Sequence, residues 1–254
     1  MELPRNAFKH ALKAGQHQLG LWCTLSSPTT VEVVAGSGFD WLLLDTEHSP
    51  SDVLNVLAQL QALSGHKVTP VVRPASNDPV LIKRYLDLGA QTLLIPYVQN
   101  AEEARAAVAA TRYPPDGIRG VSALTRATQF GRVAGYGRGA GAEICVLVQV
   151  ETEEALGQIE AIAAVDGVDG IFVGPGDLAA SLGHIGELSH PRVVAAVEAA
   201  LVRIRAAGTP AGILTGDAAF AQRCIELGSN FTAVGVDAGI LARATEALAA
   251  RFRA

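Results

Sequence analysis

Short apolar runs alternate with amphipathic segments along nearly the whole chain. The runs have the length and composition of buried parallel strands, and the segments between them place apolar residues at helical spacing. The predicted strands span 19–25, 39–48, 69–73, 92–98, 144–150, 170–173, 211–214 and 231–236. Helices are predicted at 6–15, after Ser27-Pro28, at 51–63, from Asp78-Pro79 to Gly89, and at 101–112, 153–164, 191–208, 217–228 and 240–252.

Eight strand-then-helix units in 254 residues have the size of a closed (β/α)8 barrel, preceded here by a short N-terminal helix. We therefore predict an α/β fold in which residues 1–254 form a single barrel domain. An open doubly wound sheet is the structural alternative. The dinucleotide fingerprint is absent, because the glycines of 135–139 lie in the irregular segment 113–141 rather than after a strand.

Composition excludes several classes of function. The net charge of −5 gives no support to a nucleic-acid partner. Three cysteines without framework spacing predict reduced thiols. The chain shows no N-terminal signal region and no apolar run of the roughly 20 residues that a membrane span needs. We therefore expect a soluble cytoplasmic protein that acts on small molecules.

Polar side chains stand where the predicted strands end. In a (β/α)8 barrel the active site lies at the C-terminal rim of the strands, so these residues should meet. The predicted rim set is Trp22, Asp45, Glu47, His48, Arg73, Tyr97, Gln149, Glu151, Asp177, Thr215 and Asp237.

Glu151 and Asp177 are the candidate metal ligands, because each follows an apolar strand and carries a carboxylate. Oxygen ligands suit a hard divalent ion such as Mg²⁺ or Mn²⁺, and two carboxylates leave positions free for a chelating 2-oxo acid. The alternative is structural, with Glu151 capping the next helix and Asp177 closing a Gly-Pro-Gly turn.

His48 is the histidine at a predicted strand end, and it is the candidate general base. The other five histidines fall in helices or loops, where we expect them to be solvated. Arg73 could stabilise an oxyanion. The alternatives are that His48 only hydrogen-bonds Asp45 or Glu47, and that Arg73 forms a structural ion pair with a rim acid.

The positions of the lysines argue against one class of covalent chemistry. They occur at positions 9, 13, 67 and 83, and none of these is the C-terminal end of a predicted strand. A Schiff-base mechanism needs a lysine in the pocket. A lysine-dependent mechanism is therefore not expected.

Five stretches in order resemble the HpcH/HpaI aldolase family over nearly the whole chain, from about Asn6 to Phe252. They are Phe-Asp-Trp-Leu-Leu-Leu-Asp-Thr-Glu-His (39–48), Pro-Val-Val-Arg-Pro (70–74), Tyr-Pro-Pro-Asp-Gly-Ile-Arg-Gly-Val (113–121), Gln-Val-Glu-Thr (149–152) and Gly-Val-Asp-Gly-Ile-Phe-Val-Gly-Pro-Gly-Asp-Leu (167–178). The resemblance implies a class II pyruvate aldolase with a divalent cofactor, Mg²⁺, Mn²⁺ or Co²⁺. It would cleave 4-hydroxy-2-oxo acids, such as 4-hydroxy-2-oxoheptanedioate, to pyruvate and an aldehyde.

Roles for individual residues follow from the same resemblance. Glu151 and Asp177 would bind the metal, His48 would be the base, Arg73 would stabilise the enolate, and Asp87 would raise the basicity of His48. The residues expected at the substrate are Gln149, Gly176, Asp177, Trp22 and Leu214, with Leu214 at a position that influences the orientation of the aldehyde.

The residues leave two matters open. Near Ser76 and in 121–141 the chain departs from the pattern of the family that it resembles, and the resemblance implies that these loops face the aldehyde half of the substrate; a sugar-acid aldolase of the 2-dehydro-3-deoxy-glucarate or -rhamnonate type is therefore an alternative. A CoA-ester lyase and a catalytically silent barrel are less favoured. The resemblance also implies a homo-oligomer, a hexamer, in which the last helix exchanges between subunits, although its apolar stripe could equally pack on its own barrel.

Overall fold

The computed structural model describes residues 1–253 and shows a closed barrel of eight parallel strands, each hydrogen-bonded to the next and β8 to β1. The predicted fold class is confirmed. The strands are β1 Gln18–Cys23, β2 Trp41–Asp45, β3 Thr69–Arg73, β4 Thr92–Ile95, β5 Cys145–Val150, β6 Gly170–Val173, β7 Ala211–Leu214 and β8 Ser229–Val236.

Helices surround the barrel. They are α1 Ala7–Lys13, α2 Pro28–Ala35, α3 Val53–Ala62, α4 Pro79–Asp87, α5 Ala101–Thr111, α6 Tyr136–Glu143, α7 Glu153–Leu156, α8 Ile159–Ala163, α9 Pro175–Ser181, α10 Pro191–Ala206, α11 Ala218–Glu226 and α12 Asp237–Ala250. Within residues 1–253, none of these helices combines the length and the apolar character that crossing a membrane requires.

Most helix starts follow from local sequence. Ser27 and Asp78 each precede a proline at the first helical position, and their side chains accept hydrogen bonds from the first turn. Asn100 and Asp217 cap α5 and α11 in the same way. These caps fix where the chain leaves the rim and turns back along the outside of the barrel.

The structure corrects three predicted segments. Segment 113–141, predicted as irregular, contains the start of α6 at Tyr136. The helix predicted at 153–164 is split into α7 and α8 around Gly157. The stretch around Gly174 and Gly176 is not a closed turn, because Pro175 occupies the first position of the short helix α9.

The barrel interior is filled by aromatic side chains. Phe8 of α1 closes the base, with its ring centroid 5.9 Å from that of Trp41 and 6.0 Å from that of Phe231. Trp22 lies nearer the rim, 5.4 Å from Phe172. These side chains belong to a buried apolar cluster inside the barrel, and the cavity that Trp22 lines lies at the C-terminal ends of the strands.

Candidate active site

A cavity of about 910 Å³ opens at the C-terminal rim. Every residue with a predicted catalytic, substrate or metal role except Asp87 lines this cavity, which we call the rim cavity. These residues are Trp22, His48, Arg73, Gln149, Glu151, Gly176, Asp177 and Leu214. Of the remaining predicted rim residues, Thr215 lines it and Asp45, Glu47, Tyr97 and Asp237 do not. Residues that are far apart in sequence, such as Trp22 and Leu214, are thus brought to one opening by the order of the strands.

Glu151 is buried at the end of β5, 2% exposed, and two donors hold its carboxylate. The backbone N–H of Tyr97 donates to Oε1 at 2.8 Å, and the side-chain amide of Gln149 donates to Oε2. Burial raises the pKa of Glu151 to about 7, and the negative charges of Glu47 and Asp177 add to the increase, while the two hydrogen bonds oppose it. A buried carboxylate close to two others is a favourable place for a cation.

The hydrogen bond from Tyr97 to Glu151 requires an unfavourable backbone conformation at Tyr97. Its φ is +54°, in the left-handed region that residues other than glycine rarely adopt. This backbone turn is what directs the Tyr97 N–H at the carboxylate. The sequence predicted that the side chain of Tyr97 lies at the rim. The hydrogen bond to the carboxylate of Glu151 comes instead from the backbone N–H of Tyr97.

Gly174 packs directly against Glu151, and we expect Gly174→Ala to destabilise the protein. A Cβ at this position would lie 2.5 Å from Oε2 of Glu151 and 3.0 Å from Nε2 of Gln149. Overpacking of this kind costs roughly 1–3 kcal/mol of unfolding free energy. Urea denaturation would measure it. Gly176→Ala is the matched control, because a Cβ there meets nothing within 4 Å; equal stability of the two variants would contradict the packing argument.

Asp177 lies in the first turn of α9 and is exposed to the cavity opening. The negative charge of Asp177 lies close enough to Glu47 to affect its pKa. Burial is the largest cause that raises the pKa of Glu47, and the charges of Asp45 and Asp177 add to the increase, whereas Arg73 and His48 lower it. The carboxylates of 47, 151 and 177 are therefore close enough to influence one another. Convergence of Glu151 and Asp177 on one cavity agrees with the expectation from the sequence.

Arg73 ends β3 and is fixed by two acids. Its Nε and Nη2 donate to Asp45 at 2.8 and 2.7 Å, and Nη1 lies 2.7 Å from Oε2 of Glu47. The guanidinium carbon is 5.0 Å from the ring centroid of Trp22. The structural ion pair considered as the alternative therefore exists, and it leaves Arg73 at the cavity wall in one orientation.

From the sequence, Asp45 was a rim acid and a possible hydrogen-bond partner of His48, but no pairing with Arg73 in particular was predicted. The register of β2 and β3 pairs Asp45 directly with Arg73, and Asp45 is only 2% exposed. Knowing the register would have identified this partner. Another rim acid, Asp237, has a structural role, because its carboxylate accepts from the backbone N–H groups of Thr24 and Leu25.

His48 stands free at the opening. Its side chain is 65% exposed, and Nε2 is 3.9 Å from Oε2 of Glu47, too far for a hydrogen bond. The imidazole can therefore rotate toward a molecule in the cavity. The alternative in which His48 is held by a hydrogen bond to Glu47 does not match this geometry.

Asp87 lies away from the rim cavity. It is the last residue of α4, which returns from the rim to the base of the barrel, and its Oδ1 accepts from Nη2 of Arg119 at 2.7 Å. Arg119 is itself buried and stacks 4.6 Å from the ring centroid of Tyr113. Within one chain, Asp87 is thus an ion-pair partner at the opposite end of the barrel from His48.

A second group of side chains that could ligate a metal lies outside the cavity, between α9 and α10. Two successive turns place His184, Glu187 and His190 on one side, with potential ligand atoms within 4.8 Å of one another. The two imidazoles stack at 3.5 Å, and Nδ1 of His190 accepts from the backbone N–H of Arg192. These two histidines are half-buried, contrary to the expectation that they are solvated.

Comparison with known proteins places the chain among aldolases. Residues 18–244 match the family model described as HpcH/HpaI aldolase/citrate lyase. The chain is 68% identical over 252 residues to a pyruvate aldolase of Rhizobium etli, covering 99% of both. It is 58% identical over 251 residues to a 4-hydroxy-2-oxo-heptane-1,7-dioate aldolase of Salmonella dublin, covering 98% of this chain and 95% of that protein.

A solved structure agrees with these matches. The HpcH/HpaI aldolase/citrate lyase family protein from Burkholderia cenocepacia J2315 superposes with a TM-score of 0.94 at 41% sequence identity. The match covers 98% of this chain and 100% of that one.

Proposed function

The chain belongs to the HpcH/HpaI aldolase/citrate lyase family, and from this premise we propose that it is a divalent-metal-dependent aldolase that cleaves 4-hydroxy-2-oxo acids to pyruvate and an aldehyde. Its activity as a carbon–carbon lyase of the pyruvate aldolase type follows from its relatives. We propose the metal dependence, the mechanism and the substrate class. The observation that supports them most directly is the convergence of Glu151 and Asp177 in the rim cavity.

The residues present fit a hard divalent ion. Carboxylates at positions 151 and 177 line the cavity and those at 45 and 47 lie beside it, against the two guanidiniums of Arg73 and Arg243, so negative charge is in excess. Gln149 Oε1 is buried with no hydrogen-bond partner among the described residues, which leaves an oxygen beside Glu151 available to a ligand. Glu151 and Asp177 would hold the ion through oxygen, as Mg²⁺, Mn²⁺ or Co²⁺ accept. When bound, the ion would act as a Lewis acid on the 2-oxo group.

The chain would bind the pyruvate half of the substrate through Gln149 and the backbone at Gly176 and Asp177. Trp22 forms the floor below. Arg73, oriented by Asp45, would face the oxygen on which negative charge develops. A charge fixed before the reaction stabilises this oxygen without reorganisation during bond cleavage.

His48 would move the proton. The unprotonated imidazole nitrogen of His48 accepts the proton of the C4 hydroxyl. The C3–C4 bond then breaks, the electron pair of that bond passes into the pyruvate enolate, and the aldehyde leaves. A proton added at C3 then gives pyruvate. Free rotation of the exposed ring suits this proton transfer, because the ring is not tied to Glu47.

Arg73→Ala is expected to lower kcat roughly 10²–10³-fold, because a preorganised donor to the developing oxyanion is lost. The same change leaves the carboxylate of Asp45 buried without its partner, so the protein should also be less stable. Steady-state kinetics with denaturation curves would separate the two effects. The double variant Arg73→Met/Asp45→Asn should recover stability but not activity; recovery of kcat as well would remove Arg73 from the reaction.

Treatment with a chelator should silence the enzyme, and Mg²⁺, Mn²⁺ or Co²⁺ should restore it. The assay is formation of pyruvate from a 4-hydroxy-2-oxo acid. Full activity after complete removal of divalent ions would contradict the proposal. A panel of aldehydes, including sugar-derived ones, would identify a sugar-acid aldolase instead.

The proposed roles of Asp87 and of a hexameric assembly are linked. Asp87 and His48 lie at opposite ends of one barrel, so an Asp87 that raises the basicity of His48 has to belong to a neighbouring copy. Native mass measurement gives the number of copies. The pH profile of Asp87→Asn shows whether this carboxylate influences His48; an unchanged profile in the assembled protein would remove the role.

A further inference from the structure

The segment between α9 and α10 carries the second group of potential metal ligands, and we call residues 183–190 the ligand loop. Gly186 has a φ of +80°, which permits a sharp turn of the backbone inside the loop. The backbone N–H of Glu187 donates to the carbonyl of His184 at 3.0 Å, and that of His190 donates to the carbonyl of Glu187 at 2.9 Å. These turns bring together three side chains that are each three residues apart.

The three side chains approach one another nearly as metal ligands do. His184, Glu187 and His190 each offer one ligand atom, and these atoms lie within 4.8 Å of one another. Nδ1 of His184 is 3.8 Å from Oε2 of Glu187, too far for a hydrogen bond. Two ligands of a tetrahedral Zn²⁺ ion are separated by roughly 3.3 Å, since each lies about 2.0–2.1 Å from the metal. Shifts of about 1.5 Å or less therefore bring all three atoms to one ion.

An ion has to replace two contacts that the histidines make with other groups. The two imidazoles stack with their centroids 3.5 Å apart, and Nδ1 of His190 accepts from the backbone N–H of Arg192 as the N-cap of α10. One cap is a single hydrogen bond, whereas Zn²⁺ held by several side chains is bound much more strongly. Both rings are only partly buried, so they can turn toward an ion without opening the core.

The charge and the ligand types of the loop favour a transition-metal cation. Glu187 is the acid of the loop, and Arg192, the next arginine along the chain, pairs instead with Glu153 at 3.0 Å. Two imidazoles and one carboxylate suit Zn²⁺, Ni²⁺ or Cu²⁺ better than Mg²⁺, which prefers oxygen ligands in octahedral geometry. The ligand loop therefore differs in chemistry from the rim, where the candidate ligands are carboxylates.

We propose that the ligand loop is a second metal site, which binds a divalent transition ion such as Zn²⁺ through His184, Glu187 and His190 and leaves a fourth position to water. This site lies outside the rim cavity, and the proposal does not rest on the proposed aldolase reaction. The ion joins the loop after α9 to the N-cap of α10. Leu188 of the same loop lines the rim cavity, so a bound ion also fixes this part of the cavity wall.

Calorimetric titration with Zn²⁺ tests the site in Glu151→Gln protein, which lacks one proposed ligand of the rim metal. We expect about one equivalent of Zn²⁺ per chain at ~50 μM protein, and no binding of Mg²⁺. Adding His184→Gln or His190→Asn should weaken Zn²⁺ binding roughly 10²-fold or more, because loss of an outer-shell partner alone costs 10–100-fold. Asn is used at position 190 because it can still cap α10.

His66→Gln is the matched control, because His66 is exposed and far from the loop in sequence. This variant should bind Zn²⁺ as tightly as the parent protein. Absence of Zn²⁺ binding would overturn the proposal. Binding that His184→Gln and His190→Asn together leave unchanged would place the ion elsewhere and would also overturn it.

Hydrogen exchange locates the ion in the wild-type chain. Zn²⁺ should slow exchange of the backbone amides of Glu187 and His190 at least about ten-fold, because opening of these turns would have to break bonds to the metal. His184→Gln should remove this protection while pyruvate formation with Mg²⁺ stays at the wild-type rate, since His184 does not line the rim cavity. Equal exchange with and without Zn²⁺, or protection that persists in His184→Gln, would contradict the proposed site.

Discussion

Glu151→Gln is expected to lower kcat by roughly 10³-fold or more, because it removes one of the two carboxylates proposed to hold the divalent ion. The amide has nearly the same shape as the carboxylate but no charge. It also cannot satisfy both donors that face Glu151, the N–H of Tyr97 and the amide of Gln149, through acceptor atoms alone. Its NH₂ group would face one of them.

The fold should survive this substitution. Within residues 1–253 no positively charged side chain pairs with the buried Glu151, so replacing its charge removes an unfavourable desolvation in the metal-free protein. Kinetics at saturating Mn²⁺ and calorimetric titration with Mn²⁺ would measure the two consequences, lost turnover and weakened binding. Glu153→Gln is the control, since Glu153 forms an exposed pair with Arg192. Wild-type Mn²⁺ affinity in Glu151→Gln would exclude Glu151 as a ligand.

His48→Ala is expected to lower the rate of cleavage roughly 10²–10⁴-fold, the usual contribution of a positioned general base. Exchange of the pyruvate methyl protons should be affected less, because that step does not require deprotonation of the C4 hydroxyl. Measuring cleavage by pyruvate release and exchange by NMR on the same sample compares the two steps. The structural cost should be small, since the His48 side chain is 65% exposed.

A matched histidine controls for nonspecific effects. His66 is exposed and lies outside the predicted strand ends, so His66→Ala should leave both rates unchanged. If His48→Ala slows cleavage and exchange equally, His48 acts on binding or on the enolate rather than on the hydroxyl proton. Unchanged cleavage would exclude it as the base.

The periodicity of the sequence was sufficient to predict the barrel and the rim, because the position of a strand end determines which residues face the opening. The position of Glu151 and Asp177 at the rim could be predicted from the strand ends alone. The pairing of Asp45 with Arg73 needed the register of β2 against β3, which apolar runs do not specify. The helix at Pro175 escaped prediction because two glycines flank its first residue and indicate a turn equally well.

Two other features depend on tertiary structure alone. The main-chain donor at Tyr97 requires a φ of +54°, a conformation that the residue type does not predict. Asp87 was assigned beside His48 by resemblance, and helix α4 carries it to the base of the same chain, where Arg119 neutralises it. Asp87 can therefore act on His48 only across an interface between two copies of the chain. No local sequence pattern predicts the geometry of such an interface.

Anomalous scattering from crystals soaked with Mn²⁺ and pyruvate tests the metal site directly. We expect one strong peak with carboxylate oxygens of Glu151 and Asp177 within about 2–2.5 Å and with pyruvate oxygens completing the shell. A peak confined to the loop of His184, Glu187 and His190, or none at the rim in crystals of active enzyme, would contradict a metal held by Glu151 and Asp177.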